Sequence, residues 1–296
     1  MANLKEVRTR IASVKSTRQI TSAMKMVAAA KLRKAQNSIL ALRPYASKLH
    51  EIMGDLSSSV EGSNENVFAA QREVKNVLLI PVTSNRGLCG AFNINVVKET
   101  VNLVENQFAG QYAKGNLHLY CIGKKGADLL KTRGFKIKAV NVDIFDKLTF
   151  ENSVSLAGEL MNGFKNGEYD KVIIIYNRFK NAAVQILETE QFLPVVALEN
   201  NNGNKKTHTN ADYIFEPGKE EILGELIPKS LKVQLYKVLI DSFAAEHGAR
   251  MTAMHKATDN ADELLKELKL SYNKARQAAI TNEILEIVSG AEALKG

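Results

Sequence analysis

From Leu4 onward the apolar residues fall at alternating steps of three and four: Leu4, Val7, Ile11, Val14, then Ala28, Leu32, Ala35, Ile39, Leu42, Ala46, Leu49, Met53 and Leu56. A mean step of about 3.5 residues marks the seam of a left-handed coiled coil, so this segment reads as one long helix that needs a second helix to cover it. Arg18, Thr21 and Lys25 interrupt the line. A second apolar line, Ile20, Met24 and Val27, runs beside the gap, and the pattern predicts that the seam changes face there. Asn3 followed by Glu6 resembles a capping box. Pro44 predicts a local kink.

Residues 57–72 read as a polar loop. Apolar runs then alternate with helical patterns. Strands are expected at Val74–Val82, Leu117–Ile122, Lys136–Val142, Lys171–Tyr176 and Val184–Phe192, and helices at 91–108, 124–133 and 150–166. This alternation predicts a mostly parallel sheet covered by helices, a Rossmann-like α/β domain over 72–216. Asn200–Asn210 reads as a surface loop. From Lys219 the chain is helical again, with Pro228 expected to open a fresh helix. Met254, Ala257, Ala261, Leu264 and Leu268 repeat the three-four step, which passes through Tyr272, Ala275 and Ala279 and resumes at Ile280, Ile284, Ile287, Ala291 and Leu294.

Length then fixes the architecture. At about 1.5 Å per residue the first helix is roughly 80 Å long and the last roughly 90 Å. A middle domain of this size has a radius of gyration of only ~15 Å. The helices therefore need each other. The expected fold is a long antiparallel two-helix coiled coil, residues 1–57 against 219–296, with the α/β domain between them in the chain.

Charge sharpens the picture. The net charge of +8 lies entirely in residues 1–57, which hold 11 bases and three acids, while the remaining bases and acids balance. Solvated coiled-coil faces mix signs, so the one-sign band from Arg18 through Lys25 and Arg33 to Lys34 predicts an acidic partner, a protein surface or a nucleic acid. Tyr45 is the only aromatic residue in that segment, which argues against single-strand stacking. On the last helix Asn273, Arg276 and Gln277 share one face, and Arg is well shaped to grip a carboxylate. The apolar run Ala278–Leu294 is expected to be covered by another protein.

Catalytic chemistry is poorly supported. Asn85-Arg86-Gly87-Leu88-Cys89-Gly90 stands between a strand and a helix but lacks the ending of a phosphate-binding loop, and a structural turn is the default. Cys89 reads as a small buried residue. The histidines have no metal-ligand spacing, and no catalytic triad or carboxylate pair stands out. No catalytic, cofactor or metal site is expected. The apolar runs are too short to span a bilayer, and Met1–Arg10 lacks the apolar stretch of a signal peptide.

Both ends resemble one known family, the gamma subunits of F-type ATP synthases of the bacterial type. The first helix carries Arg10-Ile11-Ala12-Ser13-Val14-Lys15-Ser16-Thr17 and Ile20-Thr21-Ser22-Ala23-Met24-Lys25-Met26-Val27-Ala28-Ala29-Ala30-Lys31. The last carries Arg250-Met251-Thr252-Ala253-Met254 and Tyr272-Asn273-Lys274-Ala275-Arg276-Gln277-Ala278-Ala279-Ile280-Thr281-Asn282-Glu283. The family's Asp-Arg-Gly-Leu-Cys-Gly turn has Asn85 at its first position here. The resemblance implies a rotating central stalk that couples c-ring rotation to nucleotide chemistry on beta subunits. Its partners would be the alpha–beta hexamer, epsilon and the c-ring, with the membrane reached only through them, on the cytoplasmic face of the plasma membrane. Met24, Lys25, Arg33, Asn273, Arg276, Gln277 and Thr281 would meet alpha and beta. Ile284, Ile287, Val288 and Leu294 would form a bearing tip. Tyr213, Phe215 and Glu216 would meet epsilon and the c-ring. The alternative is a coiled-coil nucleic-acid clamp.

Overall fold

The computed structural model describes residues 4–59, 67–70, 72–195 and 218–294, without the side chains of 50, 51, 53–59, 219–221 and 223. Asn3 of the expected capping box, most of the expected loop at 57–72, the loop at 200–210 and the trio Tyr213, Phe215 and Glu216 lie outside the described residues. The chain divides into two compact units, Ala30–Ala249 and Met1–Ala29 with Arg250–Gly296. Helices α1 (Leu4–Ser59) and α6 (Lys219–Ala293) contribute to both.

In the larger unit the order is β1 (Val77–Pro81), α2 (Phe92–Asn106), α3 (Ala109–Ala113), β2 (Leu117–Ile122), α4 (Lys124–Thr132), β3 (Ala139–Asn141), α5 (Phe150–Lys165), β4 (Lys171–Phe179) and β5 (Gln185–Leu193). The sheet runs β3-β2-β1-β4-β5, parallel except for the β4–β5 hairpin. Period-two alternation sends the strand side chains to two separate cores. Leu78, Ile80, Ile174 and Tyr176 meet Leu160 and Phe164 of α5 and Leu231, Leu235 and Val238 of α6. Val77, Leu79, Leu119 and Ile175 meet Val96 and Val104 of α2 and Leu130 of α4. Both faces are covered, which is why the strands read as apolar runs rather than alternating ones. Each such side chain contributes about 1.5–3 kcal/mol on burial.

Pro228 lies inside α6 and opens no new helix. A proline there removes one helical hydrogen bond, but Ile227, Leu231 and Leu235 around it are buried against the sheet. That packing outweighs the local penalty. On α1, Leu32, Ala35 and Leu49 are buried as the seam requires.

In the smaller unit α1 and α6 run antiparallel. Thr21 and Thr258 touch through their hydroxyls at 2.8 Å. Three residues earlier on α1, Arg18 pairs with Asp262, four residues later on α6, at 2.5 Å. The seam on α1 keeps one face throughout. Thr21 is buried, whereas Ile20 and Val27 are 57% and 58% exposed, so the expected change of face does not occur. The polar break is tolerated because the Thr21 and Thr258 hydroxyls bond to each other, one donating, and the one that accepts donates back to a carbonyl of its own helix, Arg18 or Met254. On α6 the facing positions are Met254, Thr258, Ala261, Leu265, Leu268, Tyr272, Ala275 and Ala279. Leu264, expected in the seam, is displaced by Leu265 and is left 37% exposed.

Candidate interaction surface

The hydroxyl pair fixes the register of the two helices, and the register determines which partner-facing groups stand together. Residue 24 of α1 lies opposite about residue 255 of α6. Asn273 and Arg276 lie opposite the first turns of α1. Along the helix this separates Arg276 from Lys25 by about 30 Å at ~1.5 Å per residue. Met24, Lys25 and Arg276, all expected to meet alpha and beta, therefore do not stand together. There are two patches, one around Met24 and Lys25 and one around Arg276. Arg33 falls in the other compact unit.

In the first patch Met24 and Lys25 are half-buried at the edge of the seam. Beside them Ile20, Met26 and Val27 turn outward, with Met26 65% exposed. Of the second apolar line expected from the sequence, Ile20 and Val27 are on this outward face, while Met24 is half-buried. Only the position of Thr258, 237 residues away in the chain, shows that it is a surface. The band is also less uniform in sign than the sequence alone suggests, since Asp262 neutralises Arg18. Residues 1–29 hold six bases and one acid and residues 250–296 seven of each, so this unit still carries +5.

In the second patch Asn273, Arg276, Gln277 and Thr281 are all exposed. Their spacing places them on one helix face. The Thr281 hydroxyl donates to the Gln277 carbonyl at 2.9 Å, so it is tied to its own backbone. Beyond Ala279 every described residue from Ile280 to Leu294 is exposed. Ile284, Ile287, Val288 and Leu294 are 55%, 70%, 50% and 90% exposed, with Leu285 among them. Exposed apolar surfaces of this extent commonly mark interaction sites.

The loop after β1 is filled by its own polar groups. Asn93 accepts from the Ser84 amide at 2.9 Å and donates to the Ser84 hydroxyl and to the Cys89 sulfur. Cys89 and Phe92 pack on Ala245 of α6. Gly123 approaches so closely that a Cβ would sit 2.1 Å from the Thr83 carbonyl oxygen. These contacts hold the turn together. Cys121 is buried in the sheet, its thiol pushed up to about 12 by burial, too high to supply a thiolate. His118 packs edge-on against Tyr169, and burial, with Lys138 close by, lowers its basicity. Among the described residues no group of three His, Cys, Asp or Glu is placed to hold a metal ion, and no helix is long and apolar enough to cross a membrane.

A polar network joins the sheet to α6. The buried Tyr176 hydroxyl lies 2.9 Å from Glu188 and 3.0 Å from Glu190, and burial raises its pKa far above the usual range. Arg178 pairs with Glu188, and Gln234 of α6 donates to Glu190 at 2.6 Å.

The sequence matches the ATP synthase family over residues 3–294. It is 60% identical to the ATP synthase gamma chain of Flavobacterium johnsoniae and 58% identical to that of Flavobacterium psychrophilum, in both cases over the full length of both chains. It is 46% identical to the gamma chain of Chlorobium phaeobacteroides, again over both whole chains. Among solved structures it resembles a chain of the central stalk and c-ring of the Tetrahymena thermophila mitochondrial ATP synthase. The TM-score is 0.59 at 27% identity, covering 80% of this chain and 99% of that one. It shares its fold with a chain of the Euglena gracilis mitochondrial enzyme at a TM-score of 0.67 and 22% identity, over 98% of this chain and 94% of that one.

Proposed function

The chain belongs to the ATP synthase gamma-chain family, and from that premise we propose that it is the rotating central stalk of a bacterial F-type ATP synthase, working beside alpha, beta, epsilon and a c-ring. It is a subunit of an enzyme complex and, on this reading, carries torque rather than an active site. The paired termini, residues 1–57 and 219–296, form the shaft, and the domain over 72–216 is a docking platform. The complex is peripheral on the cytoplasmic face of the plasma membrane. The nucleic-acid clamp has no support among its relatives.

The observation that carries this reading is the run beyond Ala279, where a single helix exposes apolar side chains on a length that no described residue of the chain covers. Apolar contact is non-directional, so such a tip can turn inside a sleeve without passing through a series of bound states. Gripping needs the opposite kind of contact. Arg276, flanked by Asn273 and Gln277, offers charge-assisted bonds that exist only where a carboxylate comes into reach. Met24 and Lys25 form a second contact about 30 Å away along the helix. Tyr213, Phe215 and Glu216 are assigned to epsilon and the c-ring on the strength of the family resemblance.

Arg276→Ala in the assembled complex tests the grip. Losing a charge-assisted bond of about 1.5–3 kcal/mol in one rotary state should slow coupled turnover by roughly ten- to a hundredfold while the subunits stay associated. Unchanged turnover and unchanged proton pumping would remove Arg276 from the mechanism.

A further inference from the structure

Within the larger unit, Leu42 and Leu49 of α1, Phe192 and Val195 at the end of the hairpin, and Val233 and Ile240 of α6 line a partly open cavity of about 690 Å³. Asp241 of α6 lines it and is 7% exposed. Among the described residues its carboxylate receives no hydrogen bond and forms no ion pair; burial and charges acting at a distance are what perturb it. The charged groups around it come from each packed element. Arg43 faces it from α1, Arg178 from β4, Glu188 from β5 and Lys237 from α6. Glu190 of β5 lines the same cavity. The Tyr176 hydroxyl of β4 lies against the two glutamates.

Most of these groups are already engaged. Arg178 is held by Glu188, and Glu190 is held by Gln234 and Tyr176. Lys237 and Arg43 attract an ionised Asp241 without touching it. An ionised carboxylate in that position has exchanged water for little, and desolvation is the largest influence on it. Separating α1 from α6 over the cavity would return water to it.

We propose that Asp241 makes the packing of α1 and α6 over this cavity a proton-responsive joint, closed when the carboxyl is protonated and opened more readily when it is ionised.

The direction follows from linkage. In the closed joint burial raises the carboxyl to about 6, against 3.8 for a free one. The closed state therefore binds the proton more tightly, and its advantage is complete below the free value and lost as pH rises to about 6. Between pH 5 and pH 7.5 the equilibrium for opening should rise about tenfold and then level off.

Amide hydrogen exchange on the full-length chain reads this directly once rates are corrected for the intrinsic effect of pH. Amides of α1 around Leu42 and of α6 around Val238 should be about tenfold better protected at pH 5 than at pH 7.5. Asp241→Asn should abolish the difference, and the amides of β1 and α2 should show none. A pH dependence that survives in Asp241→Asn, or a flat wild type, overturns the joint. Carbon-13 titration of the Asp241 carboxyl in the unaltered chain gives an independent reading. A midpoint near 6 supports the proposal, and one near 4 overturns it whether or not the variant folds.

Discussion

Thr21 and Thr258 show how two side chains define a register. Their hydroxyls meet at 2.8 Å where the apolar line is broken, and the one that accepts in that pair donates to a carbonyl of its own helix. Thr21→Val alone should cost about 1 kcal/mol in thermal or urea unfolding, because it leaves Thr258 with a lost partner. Changing both to Val should be close to neutral, so a double-mutant cycle should show coupling. Additive costs would mean that the hydroxyls do not interact. Gly123 is the opposite case, a position where nothing can be added. At φ +95°, with the Thr83 carbonyl in the space a Cβ would fill, Gly123→Ala should cost about 3 kcal/mol. Neither role was legible in the sequence. Thr21 interrupts the sequence pattern because its partner lies 237 positions away, and nothing local marks Gly123, because the intruding Thr83 belongs to another strand's loop.

Helices and strands were far more legible, because each writes its own period into the chain. All five strands and the three main interior helices lie where apolar runs and helical spacing put them, with ends displaced by a few residues. The seam of α1 was legible almost residue by residue. On α6 it slipped at Leu264 and Leu265, since two adjacent leucines fit a three-four pattern equally well and only the partner helix chooses between them. That choice is measurable. Leu265→Ala should destabilise the helix pair by about 1–2 kcal/mol, whereas Leu264→Ala, on the outer face, should cost less than about 0.5 kcal/mol. Equal costs would place the seam elsewhere. Pro228 was misread because a helix-breaking residue is a local signal, whereas the burial of Ile227, Leu231 and Leu235 is a tertiary one. Past Ala279 the helix has no seam to serve. Deleting residues 280–296 should leave the unfolding transition of the remaining chain within about 0.5 kcal/mol of the intact one. A large loss would mean that the apolar tip packs on its own chain.

At the scale of the whole molecule, charge and length carry the functional reading. The entire excess of +8 is confined to residues 1–57, where a neutral surface would have served a coiled coil equally well. The α/β domain holds polar residues at the place where related folds bind phosphate, and it spends them on its own turn: Ser84, Asn93 and Cys89 bond to one another. What faces outward, and carries the contacts proposed above, is the apolar line Ile20, Met26 and Val27 beside half-buried Met24 and Lys25, the exposed group around Arg276 and the apolar run beyond Ala279. A family member built this way works by moving against its neighbours. The most direct measurement fixes the alpha and beta subunits to a surface, attaches a bead to this chain and supplies ATP. The account predicts stepwise rotation in one direction, with hydrolysis stopping when this chain is cross-linked to beta. Hydrolysis at full rate with the chain locked in place would contradict it.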